Sequence, residues 1–155
     1  MNKIKSFRVD HRKLDRGIYI SRIDGDVVTY DLRFCKPNTG HVLDDVTVHT
    51  IEHMLATFTR NSDIADEVVY FGPMGCRTGF YFLARDTVSA EKAREVLVSA
   101  IRDTLAYDGP VFGASEIECG NYRELELEKA KAALREYLPV IEKAVIMNYD
   151  EVNAL

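Results

Sequence analysis

The chain has 155 residues, of which 46% are hydrophobic and 29% are charged. These values predict one globular domain over residues 1–155 and exclude a disordered, collagen-like or coiled-coil chain. The net charge of −5 argues against electrostatic binding to nucleic acid or to anionic membranes. The sequence has no run of ~18 apolar residues that could span a membrane, and no apolar signal core follows Met1. We therefore expect a cytoplasmic protein.

The first half of the chain predicts a β-hairpin followed by a helix. Apolar and polar residues alternate over 17–24 and over 27–35, and the Gly25-Asp26 turn between them predicts an antiparallel pair. After a loop at 37–40, acidic residues at 44 and 45 favour the start of a helix. A helix over 46–60 would place four apolar residues on one face: Val48, Ile51, Leu55 and Phe58.

The second half predicts two more strands and two more helices. The strands lie at 67–71 and 78–84, and a helix with Ser89 as its N-cap runs to about Tyr107. An extended segment is predicted at 111–119. Asn121 and Glu124 then resemble a capping box for a helix that ends before Pro139. This order favours an α+β fold, in which helices pack on one face of an antiparallel sheet.

The segment His49-Thr50-Ile51-Glu52-His53 lies within the first predicted helix. Residues four apart share a helix face, so both imidazoles could bind one metal ion. Glu52 would lie beside that ion, where a carboxylate can transfer protons. The pattern H-x-x-E-H therefore indicates a metal site that lacks at least one protein ligand.

The three cysteines are candidates for the missing ligand. Their odd number, and the absence of a CxxC pair, argue against a disulfide framework. Cys35 lies within a predicted strand and is interpreted as structural. Cys76 lies in a turn with glycines and Arg77, where a reactive thiolate is favoured, and Cys119 lies before a predicted helix. Spacing alone leaves the choice between Cys76 and Cys119 open.

Five blocks of sequence occur in an order that is specific to one family. They are Ser6-Phe7 with Asp10-His11, Tyr30-Asp31-Leu32-Arg33-Phe34 with Pro37-Asn38, residues 49–61, Pro73-Met74-Gly75-Cys76 with Thr78-Gly79, and Glu118-Cys119-Gly120-Asn121-Tyr122. Together they resemble the S-ribosylhomocysteine lyase (LuxS) family over nearly the whole chain. The chain departs from the family pattern at 70–72, where Tyr-Phe-Gly replaces residues that often include an acidic side chain and a serine.

The resemblance implies a fold, a reaction and a set of roles. The fold would be LuxS-like, and the reaction would convert S-ribosylhomocysteine, by two aldose–ketose isomerisations and a β-elimination, into homocysteine and 4,5-dihydroxy-2,3-pentanedione, the autoinducer-2 precursor. One divalent metal per subunit, iron(II) with zinc or cobalt as substitutes, would be held by His49, His53 and Cys119. Cys76 and Glu52 would be the acid/base pair. The enzyme would be a homodimer, and one subunit would extend three substrate-binding residues into the partner's site: Ser6, His11 and Arg33.

Two weaker alternatives accompany this interpretation. An inverted H-x-x-E-H zinc metallopeptidase would use Glu52 to activate water, but it would leave Cys76 and Cys119 without a role. A non-catalytic metal-binding dimer would need a closed site, and structural sites usually have four protein ligands rather than three.

Overall fold

A five-stranded sheet forms the centre of the computed structural model, which describes all residues from 1 to 155. The strands stand in the order β3-β4-β2-β1-β5, with these bounds: β1 Gly17–Asp24, β2 Val27–Arg33, β3 Val68–Pro73, β4 Gly79–Arg85 and β5 Met147–Asn148. The predicted hairpin of β1 and β2 is confirmed as an antiparallel pair, and β3 and β4 also pair in antiparallel orientation. The sheet is mixed rather than purely antiparallel, because β5 pairs with β1 in parallel.

Three long helices share one core with the sheet. They are α1 (Asp45–Arg60), α2 (Ala90–Ala106) and α3 (Leu127–Lys143), and their apolar faces join Ile18, Tyr30 and Phe82 in a core of 25 buried residues. The predicted α+β fold is therefore confirmed. Asp44 caps α1 by accepting the Thr47 N–H, and Ser89 caps α2. No helix has both the length and the hydropathy that a membrane span requires.

The sequence prediction is wrong between α2 and α3. Residues 111–119 form turns and bends rather than a strand, and α3 begins at Leu127 instead of near Asn121. The helix also continues through Pro139. A proline inside a helix costs ~3 kcal/mol, but Leu134, Tyr137 and Ile141 on both sides of it are fully buried, and their burial offsets that cost.

The opposite face of the sheet is covered by the N-terminal segment and a short helix, α4 (Tyr149–Ala154). Tyr19 points away from its neighbour Ile18 and packs there in a second apolar cluster with Val9, Leu14, Tyr149 and Val152. The sequence did not predict β5 or α4. The capping box predicted at Asn121 does not form, whereas Asn148 and Glu151 form one at the start of α4.

Candidate active site

Three potential metal ligands converge beside α1. His49 and His53 are one turn apart, and their ring centroids are separated by 4.6 Å. The loop between α2 and α3 brings the Sγ atom of Cys119 to 3.4 Å from Nε2 of His49. One ligand atom from each of the three residues lies within 4.8 Å of the others. We call these three side chains the donor cluster.

The Nδ1 atoms of the two imidazoles in the donor cluster form hydrogen bonds with backbone carbonyl groups. Nδ1 of His49 lies 3.0 Å from the carbonyl oxygen of Glu124, and Nδ1 of His53 lies 2.7 Å from that of Phe112. In a neutral imidazole, an Nδ1–H that donates to a carbonyl leaves the Nε2 lone pair free to bind a metal. The backbone N–H of Asn121 donates to Cys119 Sγ over 3.4 Å and helps to hold the sulfur in place. This donor set therefore fits a borderline-soft divalent cation with an open coordination position.

The loop that carries Cys119 is fitted closely to α1. Gly113 adopts φ +68°, and a Cβ atom there would lie 3.2 Å from Nδ1 of His53. The ring of Phe112 packs edge-on against Phe58, with centroids 5.3 Å apart. At the far end of the loop, the N–H of Glu126 donates to Oγ1 of Thr50 over 2.9 Å. These contacts fix the sulfur relative to both histidines.

Cys76 lies in an exposed turn against the N-terminal end of the same helix. The carbonyl of Arg77 accepts the Leu43 N–H, and its guanidinium pairs with Asp45 in the first turn of α1 over 3.4 Å. His49 begins the following turn of α1. Glu52, which is half-buried, lies three residues after His49, so its side chain is a neighbour of the His49 imidazole on the helix surface.

Arg33 contacts this turn from within its own chain. Its Nη1 donates to Thr78 Oγ1 over 2.7 Å, and that hydroxyl lies 3.1 Å from the Sγ atom of Cys76. Arg33 is only 2% exposed. Burial lowers the pKa of Arg33, but the adjacent Asp31 carboxylate, 2.5 Å away, raises it above its ordinary value and keeps the group charged. Within its own chain, Arg33 therefore lies beside the turn that carries Cys76.

Comparison with known proteins agrees with the motifs. The sequence model of the family described as S-Ribosylhomocysteinase (LuxS) matches residues 4–147. The chain belongs to the LuxS family. It is 45% identical over 149 residues to the S-ribosylhomocysteine lyase of Finegoldia magna, covering 91% of this chain and 92% of the relative. It is 39% identical over 158 residues to that of Clostridium beijerinckii, covering 99% and 97%.

Two residues that the LuxS resemblance assigned to the substrate site lie on the N-terminal segment. Ser6 and His11 are both half-buried, and Nδ1 of His11 lies 3.1 Å from the carbonyl oxygen of Val9. Neither side chain bonds to the donor cluster or to Cys76 within the chain. The sequence does not predict a role for Thr78 in the site, although its position two residues after Cys76, in one of the sequence blocks that carry the family resemblance, was a usable signal.

Proposed function

We propose that this LuxS-family chain is an S-ribosylhomocysteine lyase, a carbon–sulfur lyase that releases homocysteine and 4,5-dihydroxy-2,3-pentanedione. The observation that carries the proposal is the donor cluster, in which two imidazoles and a thiol converge with both Nδ1 atoms already occupied. Relatives named S-ribosylhomocysteine lyase that align over nearly all of the chain support the same substrate.

The reaction requires repeated proton transfer. The thioether of the substrate is attached to C5 of an open-chain ribose, and a thiolate leaves by elimination only if the C4 proton is adjacent to a carbonyl. The carbonyl starts at C1, so two aldose–ketose shifts must move it to C3 before the elimination. Each shift removes a proton from one carbon and returns it to the neighbouring carbon, so the site must hold groups beside the sugar that accept and donate protons.

His49, His53 and Cys119 would hold one divalent metal per subunit, which we propose is iron(II), with zinc or cobalt as substitutes. When bound, it would supply Lewis-acid stabilisation of the negative charge that develops on sugar oxygens. Glu52 would take and return protons from the helix face beside this site. Cys76, acting as the thiolate, would do so from the turn, with the Thr78 hydroxyl holding its sulfur.

We also propose that the enzyme is a homodimer in which Ser6 and His11 contribute to the substrate site of the partner. The N-terminal segment supports this because its apolar side chains are uncovered: Phe7 is 70% exposed and Ile4 is 55% exposed. Burial of such side chains against a second subunit would favour association. Arg33 would instead serve the substrate site of its own chain, through Thr78.

We further propose that residues 1–155 act as one cytoplasmic lyase domain. All three cysteines are unpaired, which suits a reducing compartment. The dihydroxypentanedione product would serve as the autoinducer-2 precursor in quorum sensing, and the homocysteine would return to methionine metabolism.

The decisive experiment follows thiol release from S-ribosylhomocysteine by protein purified without oxygen. Cys76→Ala should abolish thiol release and keep the metal, whereas Cys119→Ala should lose the metal. Chelator-sensitive cleavage of casein without thiol release would instead support the metallopeptidase. Unfolding on metal removal, with no turnover, would support a non-catalytic metal-binding dimer.

The shared site has a separate test in mixed dimers. Cys76→Ala and His11→Ala homodimers should each be inactive, but subunit exchange should restore about a quarter of the wild-type activity, because half of the dimers are mixed and each has one intact site. If His11 acts within its own chain, mixing restores nothing.

A further inference from the structure

A buried chain of polar contacts connects the C-terminal helix to Cys76. The Tyr149 hydroxyl donates to Oδ2 of Asp31 over 2.6 Å, and Arg33 donates to the same oxygen. Arg33 then donates to Thr78, whose hydroxyl lies 3.1 Å from Cys76 Sγ. Tyr149 and Thr78 are each 6% exposed, and Asp31 is fully buried. Tyr149 lies beyond residues 4–147, which the family model matches.

The direction of these hydrogen bonds follows from the groups themselves. A guanidinium only donates, so the Thr78 oxygen accepts from Arg33 and its single hydroxyl proton remains free to donate to the sulfur. Burial and the Asp31 carboxylate both raise the pKa of Tyr149, so its hydroxyl stays protonated and acts as the donor to Asp31. Oδ1 of Asp31 has no hydrogen-bond partner. Tyr149 therefore makes one of only two side-chain hydrogen bonds that orient this carboxylate.

We propose that Tyr149 is a positioning residue for Cys76, acting through Asp31, Arg33 and Thr78. The inference rests on the proposed function, in which the Cys76 thiolate transfers protons. Tyr149 does not touch the substrate in this arrangement. Tyr149 holds the Asp31 carboxylate in place, and that carboxylate holds the Arg33 guanidinium. The guanidinium in turn orients the Thr78 hydroxyl, which donates to the sulfur of Cys76.

The test compares Tyr149→Phe with Tyr19→Phe in the metal-loaded protein. Tyr19 belongs to the same apolar cluster, but its hydroxyl donates to the backbone carbonyl of Asp15 instead of to Asp31. Tyr149→Phe should slow alkylation of Cys76 by iodoacetamide, read by mass spectrometry of the Cys76 peptide, about 3- to 10-fold, the effect of one hydrogen bond. It should lower kcat to a similar extent and leave KM nearly unchanged. Tyr19→Phe should alter neither rate.

A second set of variants tests the route. Thr78→Val should slow alkylation of Cys76, and Thr78→Ser, which keeps the hydroxyl, should restore it. Adding Tyr149→Phe to Thr78→Val should cause no further loss, because the connection is already broken at Thr78. Equal alkylation rates in Tyr149→Phe and wild type, or losses that multiply in the double variant, would overturn the proposal. Alkylation of Cys76 needs no substrate, so it tests the positioning role separately from the proposed function. If the protein has no lyase activity but Tyr149→Phe still slows alkylation of Cys76, the proposed function is refuted and the positioning role of Tyr149 is supported.

Discussion

The Sγ atom of Cys119 lies 3.4 Å from Nε2 of His49, although the two residues are 70 positions apart in the chain. The contact depends on the backbone of the loop as much as on the side chains, because the same loop supplies the carbonyl of Phe112 to His53. One segment therefore provides the sulfur of the donor cluster and orients one of its imidazoles, so that a shift of the loop would disturb two side chains of the cluster together.

Gly113→Ala should weaken metal retention. The alanine would have to adopt φ +68°, which costs roughly 1–2 kcal/mol, and its Cβ atom would press on Nδ1 of His53 from 3.2 Å. Gly40→Ala is the matched control, because Gly40 has φ +80° and an added Cβ would meet nothing within 4 Å. Both variants should lose similar thermal stability, but only Gly113→Ala should lose metal faster to a chelator. Equal rates of metal loss would show that the loop does not depend on this close fit.

Asp31→Asn should destabilise the fold by about 3–5 kcal/mol, because it leaves the Arg33 guanidinium buried without a counter-charge. Both partners are almost completely buried in the native pair. Asp26→Asn breaks an exposed pair with Arg85, at 3.0 Å, and should cost less than about 1 kcal/mol. Urea unfolding measures the difference, and similar midpoints for the two variants would contradict the importance of the buried pair.

The sequence predicted those elements in which local signals agree with the final packing. Alternation of apolar and polar residues predicts β1 and β2, and the acidic start and apolar stripe of α1 predict a helix that presents His49 and His53 on one face. These features depend on neighbours within a few residues. The fold class and the two imidazoles of the donor cluster could therefore be predicted from local patterns alone.

The remainder depends on contacts between distant segments. Spacing could not choose between Cys76 and Cys119, because the loop at 111–126 takes its shape from contacts with α1 rather than from its own sequence. Pro139 predicted a helix end, but burial of Tyr137 and Ile141 overrides that local preference. The contact between Tyr149 and Asp31 joins residues 118 positions apart, so no local pattern could reveal it.

Asp44→Ala should destabilise α1 by about 1 kcal/mol, because the side chain of Asp44 caps that helix. The Thr47 N–H lowers the pKa of Asp44 below its ordinary value of 3.8. The charged carboxylate of Asp44 therefore stabilises the folded state at pH values above 3.8, the pKa of the unfolded chain. This stabilisation is lost as the pH falls through the lower pKa of the folded state. Thermal melts should separate wild type from Asp44→Ala at about pH 6 and bring them closer at about pH 3. Asp44→Asn keeps a capping side chain without the charge, so it should lose only the pH-dependent part of the stabilisation. A difference in melting temperature between wild type and Asp44→Ala that does not change with pH would contradict a role for the charge of Asp44.

Asn153→Ala should release the N-terminal segment from α4. The Asn153 side chain accepts the Asp10 N–H over 2.8 Å and donates to the Arg8 carbonyl over 3.3 Å, on either side of Val9. Its loss should speed hydrogen exchange of the Asp10 amide about tenfold, which corresponds to the loss of one or two hydrogen bonds. If His11 binds substrate as proposed, KM should rise in the same variant.

Asn61→Ala is the control for Asn153→Ala. It removes an exposed side-chain hydrogen bond to Thr57 at the end of α1 and should leave the exchange rate of the Asp10 amide unchanged. If the Asp10 amide exchanges as slowly in Asn153→Ala as in wild type, the apolar cluster that includes Val9 is sufficient to hold the N-terminal segment in place.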